Sequence, residues 1–165
     1  MLSGGAALKE SKNVVGLIAA LALPLATGGL SAWLTKDGMR MYALMDKPPF
    51  SPPGWVFPAV WTVLYVLMGI ASFLVCISGA SAFRKKRALA AYALQLAVNF
   101  LWPLLFFGLE MYLAAFICLL ILTVFVFVCT VFFYHISKTA GWFFVPYLIW
   151  CIFALYLNFG AYLLN

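Results

Sequence analysis

The chain of 165 residues is 67% hydrophobic and 8% charged, with a formal net charge of +6. A soluble domain runs nearer half apolar and a quarter charged, so this composition excludes an ordinary water-soluble fold and points to a membrane protein. Much of the positive charge lies in one run, Arg84-Lys85-Lys86-Arg87. That run is short and flanked by apolar spans, which speaks against a nucleic-acid partner.

Five stretches are long and apolar enough to cross a bilayer, which takes about 20 residues. They are Val14–Leu34, Trp55–Ile77, Ala88–Gly108, Met111–Tyr134 and Gly141–Leu164. The expected fold is therefore all-α, a single five-helix transmembrane bundle filling residues 1–165. Lys9 and Lys12 precede the first span in the manner of a signal peptide. Its apolar core runs too long, however, and lacks a clear cleavage site, so a retained helix is expected.

Between the first two spans lies a loop over residues 35–54. Its second half, Asp46-Lys47-Pro48-Pro49-Phe50-Ser51-Pro52-Pro53-Gly54, is punctuated by four prolines. Proline fixes φ and lacks an N–H, so this segment is a stiff, pre-shaped cover for one end of the bundle. In the second span Trp61, Tyr65 and Met68 share a helical face. In the third, Gln95, Asn99, Trp102 and Phe106 recur at i, i+4, i+7 and i+11 and share another. Amides in hydrocarbon are costly unless hydrogen-bonded, so that face points inward.

The link around Gly108 and Glu110 is so short that the third and fourth spans must be antiparallel neighbours. In the fifth span Trp150, Phe153, Ala154 and Leu157 form a further stripe. Pro24, Pro58, Pro103 and Pro146 are candidate kink sites.

The basic residues set the topology. Lys9, Lys12, Arg84, Lys85, Lys86, Arg87 and Lys138 fall on one side. Lys36, Arg40 and Lys47 fall on the other. This places the N-terminus in the cytoplasm if the chain sits in a cell membrane. Trp61 and Trp102 then lie roughly 10 Å below the outer helix ends, beneath the proline-rich loop. Trp33, Trp55 and Trp142 sit at span ends, as in an aromatic belt. Interior tryptophans and amides are often simple packing. Their concentration below a rigid loop nevertheless matches the way proteins enclose flat apolar ligands.

Cys76, Cys118, Cys129 and Cys151 lie in apolar runs without C-x-x-C spacing, and the single histidine, His135, is at a span end. Neither a disulfide framework nor a metal site is expected, and no cofactor. Glu10, Asp37, Asp46 and Glu110 all lie at or beyond span ends, so no acid–base pair stands inside the membrane for conventional catalysis.

The sequence resembles the translocator protein family, also called the tryptophan-rich sensory protein or peripheral benzodiazepine receptor family, and looks like a bacterial-type member. The resemblance runs from about Leu23 to Asn165. It rests on Tyr42 with Lys47-Pro48-Pro49-Phe50-Ser51-Pro52-Pro53-Gly54 and Trp61, on Gln95-x3-Asn99-x2-Trp102 with Phe106-Phe107, and on Pro146-Tyr147-x2-Trp150-x2-Phe153-Ala154-x2-Leu157-Asn158. It implies a five-helix bundle that dimerises. It also implies a pocket under the first loop for porphyrins, and in some members for cholesterol and synthetic ligands.

The pocket residues carried over are Tyr42, Pro52, Trp61, Gln95, Asn99, Trp102, Trp150, Ala154 and Leu157. The resemblance further implies an alternative activity, light-dependent breakdown of protoporphyrin IX, with Trp61 and Trp150 as the participating side chains. Transport of porphyrin or sterol is a third reading. It lacks support from internal repeats or intramembrane charge. Small residues at i, i+4, namely Ala93 with Ala97 and Gly28 with Ala32, suit close helix approach in a homodimer.

The chain departs from the family pattern at Met41, where tryptophan is common, at Phe50, also often tryptophan, and at Ile117, where many members are acidic. The fifth span has Leu155 and Tyr156 but no following basic residue, so the steroid-recognition pattern is incomplete.

Overall fold

The computed structural model describes residues 3–165, with side chains described from Asn13 onward except Met39. Lys9 and Lys12, which enter the topology, and Glu10, one of the four acidic residues, therefore have no described side chains. Six α-helices follow in order: α1 (Ser3–Leu34), α2 (Gly38–Leu44), α3 (Val56–Ile77), α4 (Ala82–Pro103), α5 (Tyr112–Ile136) and α6 (Lys138–Leu164). A π-helical turn, Leu104–Gly108, extends α4. Five segments are long and apolar enough to cross a membrane: Asn13–Leu34, Val56–Ile77, Ala82–Gly108, Tyr112–Ile136 and Lys138–Leu164. The protein is a multi-pass, all-α membrane bundle.

Helix neighbours run α1, α3, α6, α5, α4 around the bundle, and α4 returns to α1. The packing of α4 on α5 bears out the short-link argument. Interior positions are filled by Leu64, Tyr65 and Met68 of α3, Leu96 and Asn99 of α4, Leu119, Leu122 and Val126 of α5, and Tyr147, Cys151 and Ala154 of α6. Cys118, Cys129 and Cys151 are buried, unpaired packing residues, while Cys76 is exposed. Trp33, Trp55 and Trp142 are exposed, as an aromatic belt requires.

Three readings of the sequence need correction. Arg84, Lys85, Lys86 and Arg87 do not belong to a link. They occupy the first turns of α4, which begins six residues before the apolar stretch. Hydropathy marks what fits in hydrocarbon, whereas the helix continues into the headgroup zone. The cover over residues 35–54 is not loop throughout, because Gly38–Leu44 forms α2. Gly28, a candidate for contact between chains, packs inside its own chain. A Cβ there would stand 2.0 Å from Cε2 of Tyr65, so only glycine admits that ring.

Pro24 and Pro146 sit inside continuous helices, and Pro103 ends regular α geometry. Without an N–H, Pro103 cannot bond back to residue 99, and the chain widens into the π turn. The N–H groups of Leu109 and Met111 reach back to the carbonyls of Leu104 and Leu105, each at 2.9 Å. Glu110 adopts left-handed φ of 55° to make this stop, a conformation glycine usually supplies.

Candidate ligand site beneath the first loop

The cover is fastened by its own carbonyls, the groups proline leaves available. Tyr42 donates its hydroxyl to the Pro52 carbonyl at 2.9 Å, and Ser51 donates to that of Pro48 at 2.7 Å. Lys47 donates to the carbonyls of Tyr42 and Ala43 at 2.9 and 3.2 Å, closing the C-terminal end of α2, and lies over the Tyr42 ring. A cation there also suits the helix dipole. Burial pushes the Tyr42 phenol above its ordinary pKa, an effect partly offset by Ser51.

The last turns of α6 hold the cover down. Tyr156 donates to the Pro49 carbonyl at 2.9 Å, and Asn165 exchanges two hydrogen bonds with the Asp46 backbone at 3.1 and 3.0 Å. Pro48 rests on Gly160, where a Cβ would come within 2.5 Å of its ring.

Two chambers lie at this end of the bundle, one directly under the cover and the other beside it, lined by no residue of α2 or of the prolyl segment. One is tiny, about 20 Å³, and is bounded by Tyr42, Phe57, Trp102, Phe107, Ala154 and Leu157 among others. Its volume holds roughly one water. The second, of about 240 Å³, lies between α1, α3 and the end of α4. Ser31, Thr35, Lys36, Trp61, Tyr65 and Trp102 are among its lining residues. Phe57, Trp102 and Phe107 line both chambers and form the partition between them. The three rings lean edge-on: Phe57 to Phe107 at 6.5 Å and Trp102 to Phe107 at 5.9 Å between centroids. The π turn makes this possible, because it brings both Phe106 and Phe107 against Trp102.

The residues expected at the site divide into four groups. Tyr42, Trp102, Ala154 and Leu157 line the small chamber, and Trp61 joins Trp102 in the larger one. The indoles of Trp61 and Trp102 are 6.1 Å apart. Pro52 lies on the outer side of the cover, where its carbonyl anchors Tyr42. Trp150 lines neither chamber. It sits in an outward groove between α3 and α6 with Val60, Val63 and Phe153, its indole Nε1 buried without a partner. It reaches the partition only through Phe57, at 6.0 Å.

Gln95 and Asn99 line neither chamber. They are fully buried in a polar chain linking three helices. Tyr65 donates to Asn99 Oδ1 at 2.6 Å, Asn99 Nδ2 donates to the Tyr147 hydroxyl at 2.7 Å, and Tyr147 donates to Gln95 Oε1 at 3.1 Å. A second tie lies nearer the cover, where Trp102 Nε1 donates to Asn158 Oδ1 at 2.9 Å and Asn158 donates to the Tyr112 carbonyl at 3.0 Å. Phe57, Ser31, Thr35 and Lys36 were not selected from the sequence. Phe57 is one apolar residue among many in α3. The small hydroxyls of Ser31 in α1 and Thr35 just after it carry no periodic signal strong enough to mark them.

Five membrane-crossing helices around an aromatic chamber, closed at one end by a prolyl cover, define a small polytopic protein whose interior is built for apolar contact. Residues 20–163 match the TspO/MBR family, and the chain belongs to that family. It is 39% identical to the tryptophan-rich protein TspO of Archaeoglobus fulgidus, over 93% of this chain and 99% of that protein. It is 40% identical to the tryptophan-rich sensory protein of Cereibacter sphaeroides, over 90% of this chain and 88% of that one. With the human translocator protein the identity is 37%, over 78% and 77% of the two chains.

Proposed function

We propose that this protein binds planar hydrophobic ligands, chiefly tetrapyrroles such as protoporphyrin IX, in the space beneath the first loop. The observation that carries the reading is the pair of neighbouring chambers whose walls share Phe57, Trp102 and Phe107. Ligand pockets run from roughly 300 to 1,000 Å³. The larger chamber alone, at about 240 Å³, falls short of that range. Adding the small chamber does not by itself close the gap, so this reading requires Phe57 and Phe107 to swing aside and release the space their rings fill, giving one slot faced by Trp61, Trp102, Ala154 and Leu157. Lys36 at the α1 side offers a donor for a ligand's carboxylate, whereas the hydroxyls of Ser31 and Thr35 already donate to the carbonyls of Gly28 and Ser31.

Titration of the purified protein with protoporphyrin IX, read by porphyrin absorbance and tryptophan quenching, tests this. Trp61→Ala and Trp102→Ala are expected to weaken binding about ten-fold, the worth of one aromatic contact of ~1.4 kcal/mol. Trp150→Ala is expected to act less, through Phe57. Equal affinity in Trp61→Ala, Trp102→Ala and the parent would overturn the proposal.

Light-dependent porphyrin degradation is a second reading, favoured by the place of Trp61 on the chamber wall, where its indole would stand beside an excited macrocycle. Illuminated bleaching of bound porphyrin that is no faster than in free solution rules it out. Transport of porphyrin or sterol gains no specific observation. We further propose a bacterial cell membrane as the site of residence, with the N-terminus cytoplasmic, from the excess of basic residues at one end. A homodimer is also proposed, and the exposed Ala93 and Ala97 of α4 are the candidate contact. Cysteine accessibility from each side and mass measurement in mild detergent check these two points.

A further inference from the structure

At the end of the bundle opposite the cover, a recess of about 280 Å³ opens between the start of α4 and the end of α5, lined by Arg84, Arg87, Phe132, His135 and Ile136. From this recess we infer a second binding site, for the phosphate headgroup of an anionic phospholipid. It is separate from the ligand site under the first loop.

The charges are placed against local preference. Arg84 to Arg87 occupy the first turns of α4, where the helix dipole disfavours cations and favours anions. No acidic residue offsets them among the described side chains of this end. Asp37, Asp46 and Glu110 are all at the other end of the bundle, and the Glu10 side chain lies outside the described residues.

Lys85 is already engaged, donating to the Cys76 carbonyl at 2.8 Å. Arg87 is held differently. Its guanidinium lies over Phe132 at 5.1 Å and over Phe83 at 5.7 Å. Contact with two rings anchors the guanidinium without using its N–H groups, which suit the paired hydrogen bonds that a phosphate accepts. Arg84 and His135, in the last turn of α5, supply further donors on the rim.

The surroundings select a lipid over a soluble phosphate. Exposed Phe83 and Trp142 mark the level of the bilayer interface at this end. From Phe132, the half-buried Phe125 and exposed Ile121 follow at i−7 and i−11 on α5, so an apolar lane leads from the recess toward the membrane interior. Basic recesses between membrane helices bind anionic headgroups on this principle.

The test uses the full-length protein in nanodiscs or detergent, with phosphatidylglycerol against phosphatidylcholine, read by lipid retention in native mass spectrometry. Two variants each remove two cations from the same end: Arg84→Gln with Arg87→Gln, and Lys86→Gln with Lys138→Gln, both lysines being exposed and outside the recess. The parent is expected to retain one phosphatidylglycerol per chain in preference to phosphatidylcholine. The arginine pair should lose this by roughly thirty-fold, and the lysine pair should keep it.

Arg84→Lys with Arg87→Lys, which preserves charge and fold, should lose most of the preference because the paired hydrogen bonds go. Equal losses in the arginine and lysine variants would reduce the effect to diffuse surface attraction and overturn the site. Displacement of the lipid by millimolar inorganic phosphate would overturn the lipid assignment. Porphyrin titration of the same variants should be unchanged.

Discussion

Replacing Asn99 with leucine separates two roles, ligand contact and interhelical tie. A ligand contact would lose affinity and leave the fold alone. The structure calls for the opposite, because Asn99 accepts from Tyr65 and donates to Tyr147 while facing neither chamber. Leucine deletes both hydrogen bonds. Interhelical hydrogen bonds in membranes average about 0.6 kcal/mol each. The Tyr65 hydroxyl is also left buried without an acceptor, which costs a further 1–2 kcal/mol or so. Tyr147 keeps its bond to Gln95, so its loss is partial.

The sum is roughly 2–3 kcal/mol, and at about 2–4 °C per kcal/mol it lowers the melting temperature by some 4–12 °C. The assay is thermal unfolding in detergent, with the Tyr65→Phe and double variants completing a cycle. The double variant should be less unstable than the sum of the singles by about 1 kcal/mol, since Tyr65→Phe removes the orphaned hydroxyl. Porphyrin affinity of the folded Asn99→Leu protein should stay within about two-fold of the parent, a difference near 0.4 kcal/mol. An unchanged melting temperature with a large loss of affinity would refute the argument and make Asn99 a ligand contact.

Three other substitutions probe the cover and the partition. Phe57→Ala should join the two chambers and speed porphyrin entry in stopped-flow mixing, while costing about 3–5 kcal/mol of stability for the lost ring contacts. Gly160→Ala sets a methyl against Pro48 and should lift the cover, so ligand dissociation accelerates several-fold while the fold loses about 1–3 kcal/mol. Tyr42 has a raised pKa in the fold, so its contribution to stability is complete below the ordinary tyrosine value of about 10 and is lost as pH rises through the higher folded value. Melting curves of the parent should therefore fall off at alkaline pH relative to Tyr42→Phe, which lacks that titration.

The spans were legible because hydropathy and bilayer thickness are strong constraints, and the cover was legible because four prolines admit few conformations. The common face of Gln95, Asn99, Trp102 and Phe106 followed from helical period alone, and all four are indeed buried. What such a face meets was not legible. The partners of Asn99 lie on α3 and α6, and no spacing within α4 encodes them. Trp150 illustrates the same limit. Its stripe on α6 is real, but Ala154 and Leu157 lie on the buried side while Trp150 and Phe153 lie on its flank toward α3. A rotation of α6 by a fraction of a turn separates a chamber wall from a groove wall, and hydrophobicity is alike on both sides. The start of α4 was misplaced for a simpler reason: charge interrupts hydropathy without interrupting a helix.

The aromatic residues thus perform two tasks that sequence composition merges. Tyr65 and Tyr147 carry hydroxyls that tie α3, α4 and α6 through buried amides, and their rings pack on Trp61 at 5.7 Å each. Phe57 and Phe107 have no polar handle, so nothing but packing holds them where they divide the chambers. A hydrogen-bonded ring is expensive to move inside a membrane, because its polar group must find another partner. A phenylalanine ring rotates at the cost of contacts alone. The bundle is therefore stiff at the level of Gln95 and Asn99 and deformable at the level of Phe57, two turns or more closer to the cover. This places the capacity to admit a guest beside the prolyl loop, with the ring of Tyr65, which lines the larger chamber, standing between that space and the buried amides.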